Sequence, residues 1–573
     1  MSLIIRSYIY FRCLYTKKIK LYSMESNIIN ILIGGQAGQG IDFAADIISR
    51  VFSKIRYYVF NYRYYQSVIR GGHNYNIVTI SKDKIHSFYE SDIDYFIVFD
   101  NNSINIHKTN IDEKTVLFGD EKIPYKDKIN VNVEYFLKKL NLPNKYANTV
   151  VLSAFFKYIG IDKNIVISSF SEKSKDENNN KIVDIVYSEF NISSERKILP
   201  LGKKARYYLS GAEAIAYGAI LAGLDIYIAY PMTPASPILH VLASLKDKYN
   251  IVTYQPDNEI GVINIALGSS YAGGKVMVGS SGGGIDLMAE AISMAGMAEL
   301  PIVIAWLQRY GPSTGMATHF DQSDLLEALY IGHGEFPRIV VSPGDHIDAM
   351  RRTIEAFYLS YKYNTPSIIL SDLFLVESKA NYDHVVLPNI DYKNRFIDLE
   401  PPKDYKNYKI TEEGFILRSI PGLDVVVKAN SYEHDEYGFE TENPEIGQRM
   451  SEKRLNKSKY IYKEIINFDP YEIYGDGNKI IVSWGSNKMP ILEALKYLND
   501  WKYLHISYLS PFPSKIKGIL EDHKKVVLVE HNLTGQLGKL IEQETGFYIE
   551  DRILKHNGEP FKVEELVDKI KKI

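Results

Sequence analysis

An apolar run at 27–33 is followed by the turn Gly34-Gly35-Gln36-Ala37-Gly38-Gln39-Gly40. An amphipathic stretch comes next and places Phe43, Ala44, Ile47, Ile48 and Val51 on one helical face. Strand, glycine turn and helix in that order begin a doubly wound α/β unit. Further apolar runs at 76–80, 95–99 and 115–119 predict its other strands. The polar stretch 171–181 predicts an exposed loop or helix entry, and a boundary falls within 193–206. Beyond it, small-residue helices at 211–222, 259–271 and 287–298 alternate with β-branched strands at 225–229, 275–278 and 301–306. A strand at 339–342, a helix at 346–361 and a strand at 367–370 continue the pattern. Apolar strands between helices predict a parallel sheet covered on both faces. Residues 377–476 are polar and irregular, and a last α/β unit has strands at 479–483, 501–507 and 525–530. The predicted fold is α/β with three doubly wound domains at 24–198, 199–395 and 477–573, and an irregular connecting region at 396–476.

Composition narrows the function. With 45% apolar and 24% charged residues the chain has the balance of a soluble globular protein. A formal net charge of -3 gives no reason to expect nucleic acid or an anionic membrane as partner. No run approaches the ~20 apolar residues that cross a bilayer, and the expected location is cytoplasmic. The single cysteine, Cys13, excludes a disulfide framework and any cysteine-ligated iron–sulfur cluster carried by this chain alone. Residues 1–23 carry Arg6, Arg12, Lys17, Lys18 and Lys20 with no acidic residue before Glu25. They read either as a basic targeting peptide or as a leader that precedes the true start at Met24.

In the first glycine loop, Gly35, Gly38 and Gly40 allow a ligand close to the backbone, and the following helix N-terminus attracts anions. A dinucleotide site needs an acidic residue about 20 positions on. Phe60-Asn61-Tyr62-Arg63-Tyr64 stands there instead, which favours a more phosphorylated ligand such as coenzyme A or NADP; a structural tight turn is the plain alternative. Arg70-Gly71-Gly72-His73-Asn74 adds a second basic loop that could face the same crevice.

The middle domain holds the strongest constellation. Tyr230-Pro231-Met232-Thr233-Pro234-Ala235-Ser236 ends one strand, and its prolines stiffen the loop around the Thr233 hydroxyl. Gln308-Arg309-Tyr310-Gly311-Pro312-Ser313-Thr314-Gly315 ends another and presents a guanidinium suited to a carboxylate. Between them lie Asn258-Glu259, opening a helix, and Ser281-Gly282-Gly283-Gly284. Together with the first loop, Arg70–Asn74, Glu433-His434-Asp435-Glu436-Tyr437-Gly438 and the 529–537 stretch VEHNLTGQL, these motifs resemble the fused gamma–alpha subunit of the 2-oxoacid:ferredoxin oxidoreductases. The likeness runs from Ile28 onward.

That resemblance implies a gamma-type domain, a thiamine-dependent pyrimidine-binding domain and a transketolase C-terminal-like domain. It implies coenzyme A-dependent oxidative decarboxylation of 2-oxoacids such as pyruvate or 2-oxoglutarate, with ferredoxin as electron acceptor. Thiamine diphosphate would sit at the interface with a beta subunit. Glu259 would pair with its aminopyrimidine ring, with Tyr230 and Pro231 nearby. Thr233 would contact cofactor and substrate, Arg309 would bind the 2-oxoacid carboxylate, and Thr318 would line the same pocket. The plain alternatives are a helix-dipole role for Glu259, a proline-bracketed turn for Thr233 and a surface salt bridge for Arg309.

The family's YPITPSS is changed here at Met232 and Ala235, and its SGPG is Ser281-Gly282-Gly283-Gly284, which bears on substrate preference because pocket shape sets it. No metal site is expected on this chain. Gly475-Asp476-Gly477 imitates the diphosphate motif but precedes a strand and reads as a tight turn. Glu433-His434-Asp435-Glu436 imitates a metal cluster, yet adjacent residues point to different sides. Mg²⁺ and a [4Fe-4S] cluster belong to the partner chain on this reading. The rival readings are a coenzyme A- or nucleotide-binding regulatory subunit with decayed thiamine chemistry, and an NADP-dependent dehydrogenase.

Overall fold

A computed structural model describes residues 27–66, 72–125, 128–195 and 197–573. The leader 1–23 and Arg70 lie outside the described residues. The architecture is α/β, built on three sheets.

The first sheet runs in the order Lys128–Val131, Val116–Asp120, Tyr95–Val98, Ile28–Gln36, His73–Ser81, Tyr58–Tyr64, Lys379–Tyr382, Tyr207–Ser210. Along Ile28–Gln36, Ile29, Ile31 and Ile33 pack under the helix Ile41–Lys54, while Leu32 belongs to the core on the opposite face. Burial on both faces accounts for the unbroken apolar run. The sheet is mixed: its first four strands are parallel, and His73–Ser81 and Tyr58–Tyr64 are antiparallel. The connection between those two is too short for a crossover helix, so a hairpin is the available geometry. Two strands from beyond residue 200 extend this sheet, and Phe374 packs 6.0 Å from the rings of Phe60 and Tyr62. The first and middle units therefore share a core.

The middle sheet runs Tyr508–Ser510, Ile339–Val341, Pro366–Asp372, Ile302–Gln308, Val276–Ser280, Ile226–Ile228, Val252–Tyr254. It is parallel except for Tyr508–Ser510, an edge strand lent by the third unit. The third sheet runs Tyr471–Tyr474, Trp501–Ile506, Lys479–Trp484, Lys525–Glu530, Asp551–Leu554. The expected loop or helix entry at 171–181 is the junction between helices Lys163–Lys173 and Asn178–Glu189.

The region expected to be irregular contains a 22-residue helix, Pro444–Ile465. Asn443 caps it by accepting from the Glu445 and Ile446 amides. Its buried face is Met450, Lys453, Arg454, Lys457, Ile461 and Ile465, at helical spacing but half cationic. Lys453 and Lys457 both close on Glu299, at 2.6 and 2.5 Å, and Arg454 pairs with Glu433. Buried lysine and arginine stems thus occupy positions where an apolar stripe is sought, which hid the helix.

A buried ionic cluster joins the middle and third units. Arg352 is fully buried and bonds Asp348 at 2.9 Å, Glu355 at 2.8 Å and the Phe468 carbonyl at 2.6 Å. Tyr508 donates to the same Glu355 carboxylate at 2.8 Å. Removing the cation strands buried Asp348 and leaves Glu355 with Arg351 alone as its cation, so Arg352→Ala is expected to cost about 3–5 kcal/mol, whereas exchanging Arg352, Asp348 and Glu355 together for apolar residues costs less. Guanidinium denaturation of both variants checks this ordering.

Candidate active site

Strand order places the candidate residues. Ile226–Ile228 is followed in sequence by Val252–Tyr254 on one side and by Val276–Ser280 on the other. Connections that leave in opposite directions open a crevice at the strands' carboxyl ends, where α/β proteins bind ligands. The Tyr230–Ser236 loop leaves the first of these strands, Glu259 starts the helix after the second, and Ser281 follows the third. Arg309 follows the next strand, Ile302–Gln308.

The structure joins Arg309 and Thr233 through the backbone: an Arg309 Nη1 hydrogen donates to the Thr233 carbonyl at 2.8 Å. Arg309 is half-buried, and burial lowers its guanidinium pKa against a smaller opposing effect of Tyr65. No ion pair to Arg309 occurs among the described residues. Thr318 is buried on the loop whose neighbouring carbonyl, His319 O, accepts from the Tyr310 amide at 2.9 Å.

Glu259 is 4% exposed, and its Oε1 has no hydrogen-bond partner. Asn258 caps the helix by accepting from the Gly261 amide at 2.8 Å, so Glu259 is not needed as the cap. Gly284 packs directly against this carboxyl: a Cβ there would stand 2.7 Å from Glu259 Oε1 and 2.1 Å from Ser280 Oγ. The close approach, not a turn, is what demands glycine at that position. Exposed Tyr230, Val252, Tyr254, Ile260, Ile265 and Leu287 leave an apolar face on the elements around Glu259.

A cleft of about 380 Å³ lies beside Arg309. Its walls include Ser281, Asp286, Asp324 and Glu327 from the middle unit and Asn532, Leu533, Gln536 and His556 from the third. The third unit's contribution is set by polar contacts. Gln536 accepts from the Leu326 amide at 3.0 Å, Asn532 donates to the Gln322 carbonyl at 3.2 Å, and His556 stacks on Tyr310 at 4.3 Å. Apolar periodicity could not assign Asp286, Asp324, Glu327 or His556 to this cleft; the 529–537 motif was the available signal for Asn532 and Gln536.

In the first unit, Gly38 and Gly40 hold φ of 95° and 77°, and Gly35 packs against Ile41 and Gln39. The strand register sets Gln36 opposite His73, and the Ala37 amide donates to the Gly72 carbonyl at 3.4 Å, so the end of the second basic loop adjoins the first glycine loop. Arg63 is a correction. It bonds Asp42 at 2.8 Å and Glu377 at 2.6 Å and lies over the Tyr65 ring, so its charge is already engaged and does not mark a phosphate site.

The two imitations resolve into structure. Gly475-Asp476-Gly477 links strands Tyr471–Tyr474 and Lys479–Trp484, with Gly475 at φ 81°. Glu433 pairs with Arg454, His434 packs tilted against Tyr408 with ring centroids 3.9 Å apart, and Glu436 accepts from Lys406 and the Ile410 amide. Among the described residues no helix is long and apolar enough to cross a membrane.

Residues 30–189 match the family described as pyruvate ferredoxin/flavodoxin oxidoreductase, and residues 217–453 match pyruvate flavodoxin/ferredoxin oxidoreductase, thiamine diphosphate-binding. The 2-oxoacid:ferredoxin oxidoreductase subunit alpha of a Sulfolobus species is 31% identical, with 95% of this chain and 96% of that protein covered. The 2-oxoglutarate oxidoreductase subunit KorA of Mycobacterium tuberculosis is 33% identical over 62% of this chain and 56% of its own length. A solved 2-oxoglutarate:ferredoxin oxidoreductase from Magnetococcus marinus superposes with a TM-score of 0.83 at 27% identity, covering 95% of this chain and 99% of that one. The fold, the motif order and a relative matched over nearly its whole length converge: this chain belongs to the 2-oxoacid:ferredoxin oxidoreductase alpha-subunit family.

Proposed function

We propose that this chain, joined to a beta subunit, catalyses coenzyme A-dependent oxidative decarboxylation of a 2-oxoacid to acyl-coenzyme A and CO₂, passing the electrons to ferredoxin. The observation that carries the reading is the buried Glu259 Oε1 with no donor. A buried polar atom left unsatisfied is costly, and a hydrogen-bonding ring nitrogen of thiamine diphosphate fits it. When bound, that cofactor supplies a nucleophilic carbon and a sink for the electron pair released with CO₂.

Glu259 would hold a proton at the aminopyrimidine ring nitrogen and exchange it there. Arg309, free of any carboxylate among the described residues, would take the substrate's carboxylate, and its bond to the Thr233 carbonyl fixes the guanidinium in place. Thr233 and Thr318 would complete the substrate pocket, and Tyr230 and Pro231 would border the cofactor. The apolar face on the elements around Glu259 supports a beta-subunit contact that excludes water from the site. The adjoining loops at Gly35–Gly40 and Gly72–His73 support coenzyme A binding through backbone amides; Arg70 belongs to the same proposal. With one cysteine here, a [4Fe-4S] cluster falls to the partner, and with Gly475-Asp476-Gly477 serving as a turn, so do the diphosphate and Mg²⁺.

The test is co-purification with the beta subunit followed by reduction of a viologen dye. Reduction is expected to require 2-oxoacid, coenzyme A and both chains, and the isolated chain is expected to be inactive. Loss of proton exchange predicts that Glu259→Gln lowers kcat by about 10²–10⁴-fold. Loss of a charge-assisted contact predicts that Arg309→Ala raises KM roughly ten- to a hundredfold, with Arg309→Lys restoring part of it. Wild-type kinetics in either variant would remove that residue from the site.

A further inference from the structure

The cleft beside Arg309 is electrostatically lopsided. Its lining includes two basic groups, Arg309 and His556, against Asp286, Asp324 and Glu327. His556 is already engaged, its Nδ1 lying 3.1 Å from Asp321 Oδ1. Asp321 also accepts from Ser323 Oγ at 2.5 Å and stands 3.7 Å from His531 Nδ1. Among the described lining residues, Arg309 is thus the cation left for a ligand. Ser281 borders the same cleft; it is 1% exposed, and its buried Oγ has no hydrogen-bond partner among the described residues.

The acidic wall lacks compensation. Asp324 accepts from Trp306 Nε1 at 3.0 Å, and burial pushes its carboxyl up to about 6 despite that bond, with Asp321 and Asp286 adding to the rise. Glu327 and Asp286, at the exposed mouth, share a hydrogen bond; desolvation first, then that bond and the charges of Asp286 and Asp324, raise Glu327. No lysine or arginine pairs with any of the three among the described residues.

We propose that Asp286, Asp324 and Glu327 restrict this cleft to 2-oxoacids with an uncharged side chain and exclude those bearing a second carboxylate. The inference rests on the reading that Arg309 takes the carboxylate next to the oxo group. One carboxylate neutralises that guanidinium. A second, entering the same cleft, meets no further free cation among the described lining residues and faces three carboxyl groups on the cleft wall. An alkyl side chain carries no such penalty. The Magnetococcus structure is named with 2-oxoglutarate bound, so this chain's preference would differ from that protein's. Because the Asp324 and Glu327 carboxyls are raised, exclusion weakens as pH falls and these two take up protons, and salt weakens it at the exposed mouth.

The experiment compares kcat/KM for 2-oxobutyrate and 2-oxoglutarate in the loaded two-subunit complex, and titrates the complex with each acid by calorimetry before cofactor is added. At pH 8 the ratio is expected to favour 2-oxobutyrate by about tenfold or more, and to narrow several-fold at pH 6. Glu327→Lys is expected to move the ratio about tenfold toward 2-oxoglutarate and to tighten 2-oxoglutarate binding in the calorimeter; Asp286→Asn moves both less far in the same direction. A wild-type preference for 2-oxoglutarate at pH 8, or an unchanged ratio in both variants, overturns the acidic wall and leaves the 2-oxoacid reading standing. If the loaded complex neither binds nor turns over either acid, the assignment of Arg309 falls, and the wall with it.

Discussion

The cleft exists because one buried amide holds three elements together. Gln322 is fully buried; its Nε2 donates to Asp372 at 2.8 Å, its Oε1 accepts from Asn487 at 2.6 Å and its backbone carbonyl accepts from Asn532. Asp372 ends a middle-sheet strand, Asn487 precedes a third-unit helix, and Asn532 follows a third-unit strand. Each of these groups would be stranded in a dry interior if one unit moved away, at about 1–3 kcal/mol apiece. The bonds therefore favour a docked arrangement over partly open ones. Within the third unit, Glu530 fixes the strand end that carries Asn532 by accepting from Trp484 Nε1 and the Leu537 amide at the start of the helix Gln536–Thr545. The loop bearing Arg309, Thr318 and Asp324 is held between these surfaces, so the candidate substrate residues inherit their rigidity from a contact made some 200 positions away in sequence.

The same long reach explains what the sequence revealed and what it concealed. Strands buried on both faces announce themselves as unbroken apolar runs, and the three α/β units followed from those runs and the glycine turns. Strand direction did not, because the hairpin joining Tyr58–Tyr64 to His73–Ser81 is a matter of loop length rather than residue type. The strands Tyr207–Ser210 and Lys379–Tyr382 are four residues each and carry no period long enough to read. Arg63 looked available because its partner Glu377 lies 314 positions away. Loops at strand ends, by contrast, were legible as candidate chemistry. Proline, glycine and a single charged residue together mark places where the backbone is shaped for something other than packing.

Comparing like groups shows what the fold satisfies and what it leaves open. Glu299 and Glu259 are both buried acids. Around Glu299, two lysines more than offset desolvation and hold it down to about 2; its lone pairs are occupied and its role is to fasten the helix Pro444–Ile465. Around Glu259 no lysine or arginine pairs among the described residues, and one oxygen has no donor among them. The arginines divide in the same way: Arg63 and Arg352 are each held by two carboxylates, Arg309 by a backbone carbonyl. A carbonyl orients a guanidinium without cancelling its charge, so Arg309 keeps its electrostatic capacity for a ligand. Glu299, Arg63 and Arg352 are thus satisfied from within. The two candidate groups on the crevice are held in place but left short of partners, which sets them apart from these three ions.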